Sequence, residues 1–142
     1  MSQLPKLNIW FEGSRPKTIP AAIVPVIVGT ASVETGLTPH RFVLALVVSI
    51  ALQVGVNYAN DYSDGIRGTD QDRIGPRRLV GSGLVNANQV KLAAGISFLI
   101  AAIAGLVLAI MTSLWLILIG CVAILAAWFY TGGSRPYGYS GY

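Results

Sequence analysis

Charge is scarce in this chain of 142 residues: Asp, Glu, Lys and Arg make up 11% of it, against about 25% in an ordinary soluble domain. From Leu92 to Ser134 there is no Asp, Glu, Lys, Arg or His at all. One bilayer crossing needs only about 20 apolar residues, so that stretch has to fold back on itself. The composition excludes a water-soluble globule and fits a membrane protein. A single cysteine, Cys121, excludes a disulfide or a thiolate metal site built within the chain and suits a small packing residue. The one histidine, His40, falls in a short outer loop as a solvated residue. There is no internal repeat, no low-complexity tract and no soluble domain boundary.

What is present is apolar length. Thr112 and Ser113 offer the turn in the uncharged stretch. The hydropathy pattern predicts an all-α membrane protein, a multi-helix transmembrane bundle with spans at about 15–34, 42–63, 92–111 and 114–131. Arg15 and Lys17 extend the first span, because their long side chains can reach the head groups. Pro25 is interior to that span and predicts a kink, and the small residues Ala21, Ala22, Gly29 and Ala31 favour close helix packing. A secretory signal is the alternative for this first segment, but three further apolar segments follow it. The opening LPKLNIWFEG suits either a short helix on the membrane surface or a disordered terminus.

Lys6, Arg15, Lys17, Arg67, Arg73, Arg77, Arg78, Lys91 and Arg135 all fall on one side of this topology, with only Arg41 opposite. By the positive-inside rule that side is the cytoplasm. The expectation is a multi-pass protein of the cell (inner) membrane with its N-terminus cytoplasmic. The net charge of +4 is thereby explained by topology and anionic head groups, and nucleic acid is not an expected partner.

Acids are scarcer still, six in all, yet Asp61, Asp64, Asp70 and Asp72 cluster at the end of the second span. Carboxylates are costly at that position. If the helix continues to its end, Gln53, Asn57, Asn60 with Asp61, and Asp64 form one polar stripe, which cannot face lipid. Without cations the acids would repel one another. Carboxylates with amide oxygens beside them suit Mg2+, which takes one or two carboxylates and fills its shell with water and phosphate oxygens. A magnesium diphosphate is the implied ligand. Arg67, Arg73, Arg77 and Arg78 can take its outer oxygens, and Lys17 and Arg15 can reach the same basin. The plain alternative is that acids and arginines neutralise each other in a solvated loop. The connection over 65–90 is too polar to span, and a loop of that length in a compact bundle is usually functional.

NDYSDGIRGTDQDR, followed by PRRLVGSG, lies between SRPKTIPAAIVPVIVGTA and FYTGGSRPYGYSGY. In that order these motifs resemble the intramembrane aromatic prenyltransferases of the UbiA superfamily. The first aspartate-rich motif of that family is Asn, three residues, Asp, three residues, Asp. Asn60 and Asp64 fill its first two places, Gly68 stands at the third, and the next acid is Asp70, a displacement that resembles the menaquinone branch. Asp72 has no counterpart. The family fold has about nine membrane helices and a second aspartate-rich motif on a later inner loop. Four spans without that motif look like an N-terminal portion, expected to be inactive by itself.

The resemblance implies transfer of a polyprenyl group from polyprenyl diphosphate to an aromatic acceptor, dihydroxynaphthoate in the menaquinone branch, with loss of CO2. It implies a catalytic role for Asp64, Asn60 and Asp61, metal ligation by Asn60, Asp61, Asp64 and Asp70, and diphosphate binding by Lys17, Arg73, Arg78 and Arg67. Tyr130 and Asn57 are candidates for the acceptor pocket, although a tyrosine at a membrane interface needs no such role. A different aromatic acceptor is an alternative. So is a CDP-alcohol phosphotransferase, where Asp61, Asp64 and Gly65 fit but Gly68 and Thr69 depart from the pattern. A divalent-cation transporter would use the same acids nearer the midplane.

Overall fold

The computed structural model describes residues 6–34, 36, 38–68, 78–131 and 136–139. Among these, every regular element is helical: α1 (Lys6–Gly13), a 3-10 turn (Pro16–Thr18), α2 (Ile19–Ala31), α3 (Pro39–Arg67), α4 (Ala87–Thr112), α5 (Trp115–Thr131) and a last 3-10 turn (Tyr137–Tyr139).

Local chemistry sets the helix ends. In α3, Pro39 sits where its missing N–H is not needed. At the other end Gly68 adopts φ 70°, and its N–H donates to the carbonyls of Asp64 and Gly65, an αL cap that glycine accepts without strain. The helix therefore outruns the expected 42–63 at both ends. Asn86 caps α4 by accepting the Asn88 N–H at 2.9 Å, so α4 starts five residues before the predicted 92. The first span is shorter than predicted as an α-helix. Its 13 residues reach ~20 Å, against a hydrocarbon core of ~30 Å. The prolines at 16 and 20 start it through a 3-10 turn, and Arg15 before that turn is left-handed at φ 53°.

Packing between helices uses small residues. The buried face of α4 carries Val90, Ala94, Ser97, Phe98, Ala101, Ala104 and Ala109, mostly three or four apart, so it lies along α3. Gly55 on α3 makes room for Phe98, whose ring would lie 2.8 Å from a β-carbon added there. Arg41 donates from Nη2 to the Met111 carbonyl at 2.7 Å, one of the carbonyls left open where α4 ends. The start of α3 thus meets the end of α4, and the pair is antiparallel. Ser49 of α3 donates to the Ala22 carbonyl of α2 at 2.8 Å, beside the turn in which Pro25 supplies no N–H.

The opposite faces are large and apolar. Leu92, Ile96, Leu99, Ile103 and Ile110 of α4 are all exposed. Helices α3 and α4 are long and apolar enough to cross a membrane, and only 22% and 33% of their apolar windows are buried inside the protein. Core helices of a soluble protein would be mostly covered, so this is a membrane-embedded helical bundle. Cys121, expected to be packed, is exposed, because most of α5 faces outward. His40 is exposed in the first turn of α3 rather than in a loop.

The tight core lies at one end. Tyr58, Ala59, Leu79, Val90, Ala94 and Phe98 form a buried cluster, with Ile9, Trp10, Ala127 and Trp128 against it. That is the end of α3 that carries the acids.

Candidate functional site

Helix α3 continues through Arg67, so Gln53, Asn57, Asn60, Asp61 and Asp64 share a side. The upper part of this stripe binds the segment that leads into α2. Asn57 is 3% exposed, and its Nδ2 donates to the Ser14 carbonyl at 2.9 Å and to Thr18 Oγ1 at 3.0 Å. Gln53 Nε2 donates to the same hydroxyl at 3.2 Å. Thr18 Oγ1 in turn donates to the Arg15 carbonyl at 2.9 Å. One hydroxyl thus uses its donor and accepts twice, its full capacity. Asn57, a candidate for the acceptor pocket, here ties α3 to the 14–18 segment with both amide hydrogens committed.

The lower part binds the loop that precedes α4. Asp61 is 1% exposed. Its Oδ2 accepts the Leu79 N–H at 2.9 Å and its Oδ1 the Val80 N–H at 3.1 Å. A buried carboxylate receiving two backbone N–H groups holds the loop strongly. Gly65, one helical turn on, lets the loop approach, since a β-carbon there would collide with the Val80 side chain. Gly13 does the same at the end of α1, where a β-carbon would lie 2.5 Å from Leu79 Cδ1. Trp10 adds an edge-on contact to Tyr58 at 5.7 Å, and the Tyr58 hydroxyl donates to the Trp10 carbonyl.

The result of this clamp is that Arg78, next to the held pair, meets Asp64. Their Nη2 and Oδ2 are 3.2 Å apart, and each side chain is 14% exposed. Asn60, one turn before Asp64, is half-buried. Arg67 donates to the Ser63 carbonyl at 3.3 Å on its own helix, and Lys17 is exposed. Tyr130 is 45% exposed and packs edge-on against Tyr137 at 5.4 Å. Asp70, Arg73, Asp72 and Arg77 lie outside the described residues.

The described residues contain no group of three or more His, Cys, Asp or Glu side chains that could hold a metal ion. They do place Asn60 and Asp64 on adjacent turns at a partly exposed helix end. That set is too small for an all-protein cage, but it suits Mg2+, which is held by one or two carboxylates together with substrate phosphates and water. Gly68, which stands at the third place of the aspartate-rich pattern, ends the helix in the left-handed conformation at φ 70°, a conformation that favours glycine. Sequence reasoning missed the Leu79 and Val80 amides and the Ser14 carbonyl, because backbone groups leave no residue-type signal. Only the adjacency of PRRLVGSG to the acids hinted at them.

Residues 22–142 match the UbiA prenyltransferase family. The chain belongs to that family. A 1,4-dihydroxy-2-naphthoate octaprenyltransferase of Mycobacterium tuberculosis is 53% identical over 135 residues, covering 94% of this chain and 46% of that protein. The protein of the same name from Escherichia coli is 37% identical, over 98% of this chain and 48% of its own length. One from Bacillus subtilis is 31% identical, over 94% and 44%. The chain thus spans just under half the length of these relatives. No solved structure matches it.

Proposed function

We propose that the complete protein carrying this chain transfers a polyprenyl group from polyprenyl diphosphate to 1,4-dihydroxy-2-naphthoate, releasing diphosphate and CO2 and giving demethylmenaquinol, the hydroquinone form of demethylmenaquinone. One observation carries this best. Asp64 and Arg78 face each other 3.2 Å apart at the end of the amide and acid stripe, in a chain 53% identical to a relative with that activity in its name. A carboxylate and an arginine fixed together suit a magnesium diphosphate, one serving the metal and the other the phosphate oxygens.

Mg2+, held by Asn60 and Asp64 and, from the sequence, Asp70, would draw off the negative charge that grows on diphosphate as the allylic carbon–oxygen bond breaks. Arg78 is positioned to bind the phosphate oxygens, and Arg73, Lys17 and Arg67 are further candidates by sequence. Asp61 has a different part: it fixes the loop, so that Arg78 needs no reorganisation when charge develops. The apolar helices exclude water from the allylic cation until the ring attacks. The lipid bilayer is the medium for the polyprenyl tail, on the inner membrane with the acid cluster cytoplasmic.

The test uses membranes holding the complete protein, Mg2+, labelled polyprenyl diphosphate and the naphthoate. A prenylated naphthoquinol together with CO2 is expected. A product formed only with another ring, or none, overturns the proposal.

A further inference from the structure

Helices α2 and α3 are tied together by the bond from Ser49 to the Ala22 carbonyl. Beyond that bond, toward the start of α3, they enclose a cavity of about 370 Å³, a volume within the range of small-ligand pockets, roughly 300–1,000 Å³. Pro25, Val26, Phe42 and Ala45 line it with apolar surface, and Thr38 and Arg41 line it where α3 begins. Asp64 lies near the other end of the same helix, roughly 35 Å away by helical rise, so this cavity is separate from the diphosphate site.

The charge of Arg41 is unanswered. It is the only Lys or Arg between Lys17 and Arg67, and Glu34 is the only acid between Thr18 and Asn60. Among the described residues Arg41 makes no ion pair, with Glu34 or with any other acid. Its Nη2 is committed to the Met111 carbonyl at 2.7 Å, which fixes the guanidinium at the end of the bundle. The rest of its five N–H donors stay available in a fork that matches phosphate oxygens. A fixed cation at one end of an apolar cavity, in helices that face lipid, complements an amphiphile with an anionic head and a hydrocarbon tail. Basic pockets between membrane helices take anionic head groups in this way.

We propose that the cavity between α2 and α3 is an anionic phospholipid site, with the lipid phosphate on Arg41 and one acyl chain against Pro25, Val26, Phe42 and Ala45. The rival is that Arg41 only staples α3 to α4, and that the remainder of the complete protein fills the cavity.

The complete protein, taken from nanodiscs of mixed phosphatidylglycerol and phosphatidylcholine into mild detergent, separates the two when its retained lipids are counted by native mass spectrometry. Gly29→Leu blocks the cavity and leaves Arg41 in place: Gly29 lines it, and a β-carbon there meets nothing within 4 Å. Leucine also favours the helix over glycine. Arg41→Gln removes the charge but keeps an N–H for the Met111 carbonyl. Each variant should retain one phosphatidylglycerol fewer than the wild type. Titrating that lipid into delipidated protein should show affinity about tenfold to a hundredfold weaker for Arg41→Gln, the worth of a charge-assisted hydrogen bond, with part of it recovered in Arg41→Lys. An unchanged phosphatidylglycerol count in Gly29→Leu overturns the proposal even where Arg41→Gln loses lipid, because the charge then acts outside the cavity. Equal retention of phosphatidylcholine at that position overturns it as well.

Discussion

Asp61 accepts the backbone N–H groups of Leu79 and Val80, and this places the adjacent Arg78 3.2 Å from Asp64. A fully buried acid thus organises a partly exposed pair. The first acid of the cluster is architectural, and the second pairs with the arginine of the held loop.

Asp61→Asn should therefore destabilise the protein. The amide offers N–H groups where an acceptor is needed, leaving one of two buried backbone donors unpaired, at a cost of about 1–3 kcal/mol. A lower melting temperature, with earlier protease cutting near residues 79 and 80, is the expected result. Unchanged melting and cleavage would remove Asp61 from the clamp.

Asp64→Ala and Arg78→Ala should leave the bundle folded, since each side chain is partly exposed, and should lower turnover. Loss of a group that stabilises developing charge costs roughly 10²–10³ in kcat. Prenylation by membranes holding the complete protein measures it, with helical circular dichroism of purified protein as the check on folding.

Gly65→Ala puts a β-carbon into Val80 and should disturb the clamp, lowering stability and turnover together. Gly95→Ala is the matched control. A β-carbon at Gly95 meets nothing within 4 Å, and alanine favours the helix. Melting temperatures should fall for the first variant and hold or rise for the second.

Chelation of divalent cations should abolish turnover while leaving the melting temperature nearly unchanged, because the clamp uses backbone N–H groups and one ion pair. Mg2+ should restore activity better than Ca2+, which prefers more ligands at longer distance. Turnover that persists without a divalent cation would exclude Mg2+ from the mechanism.

The hydrogen bonds that join helices can be ranked. Ser49→Ala removes a single bond to the Ala22 carbonyl and should cost about 0.6 kcal/mol, as such bonds do between membrane helices. Asn57→Ala strands the Ser14 carbonyl and weakens the Thr18 hub, so about 1–3 kcal/mol is expected. Denaturation in mild detergent with added dodecyl sulfate would order the two.

The sequence by itself determined the membrane-embedded helical character, because apolar length and the lack of charge from Leu92 to Ser134 leave no other solution in lipid. It also determined that Gln53, Asn57, Asn60, Asp61 and Asp64 share a side, since helical periodicity alone sets that. It could not assign their partners. Whether Asp61 meets a cation, a metal or a backbone amide depends on where a loop 18 residues away in sequence returns, and on glycines at 13 and 65 that let it come close. The same holds for Arg15 and Lys17, alike in charge and two positions apart. Only the three-dimensional tethers at Ser14 and Thr18 bury the end of one and leave the other in the open. Residue type fixes what a group can bind, but the approach of distant segments decides what it does bind.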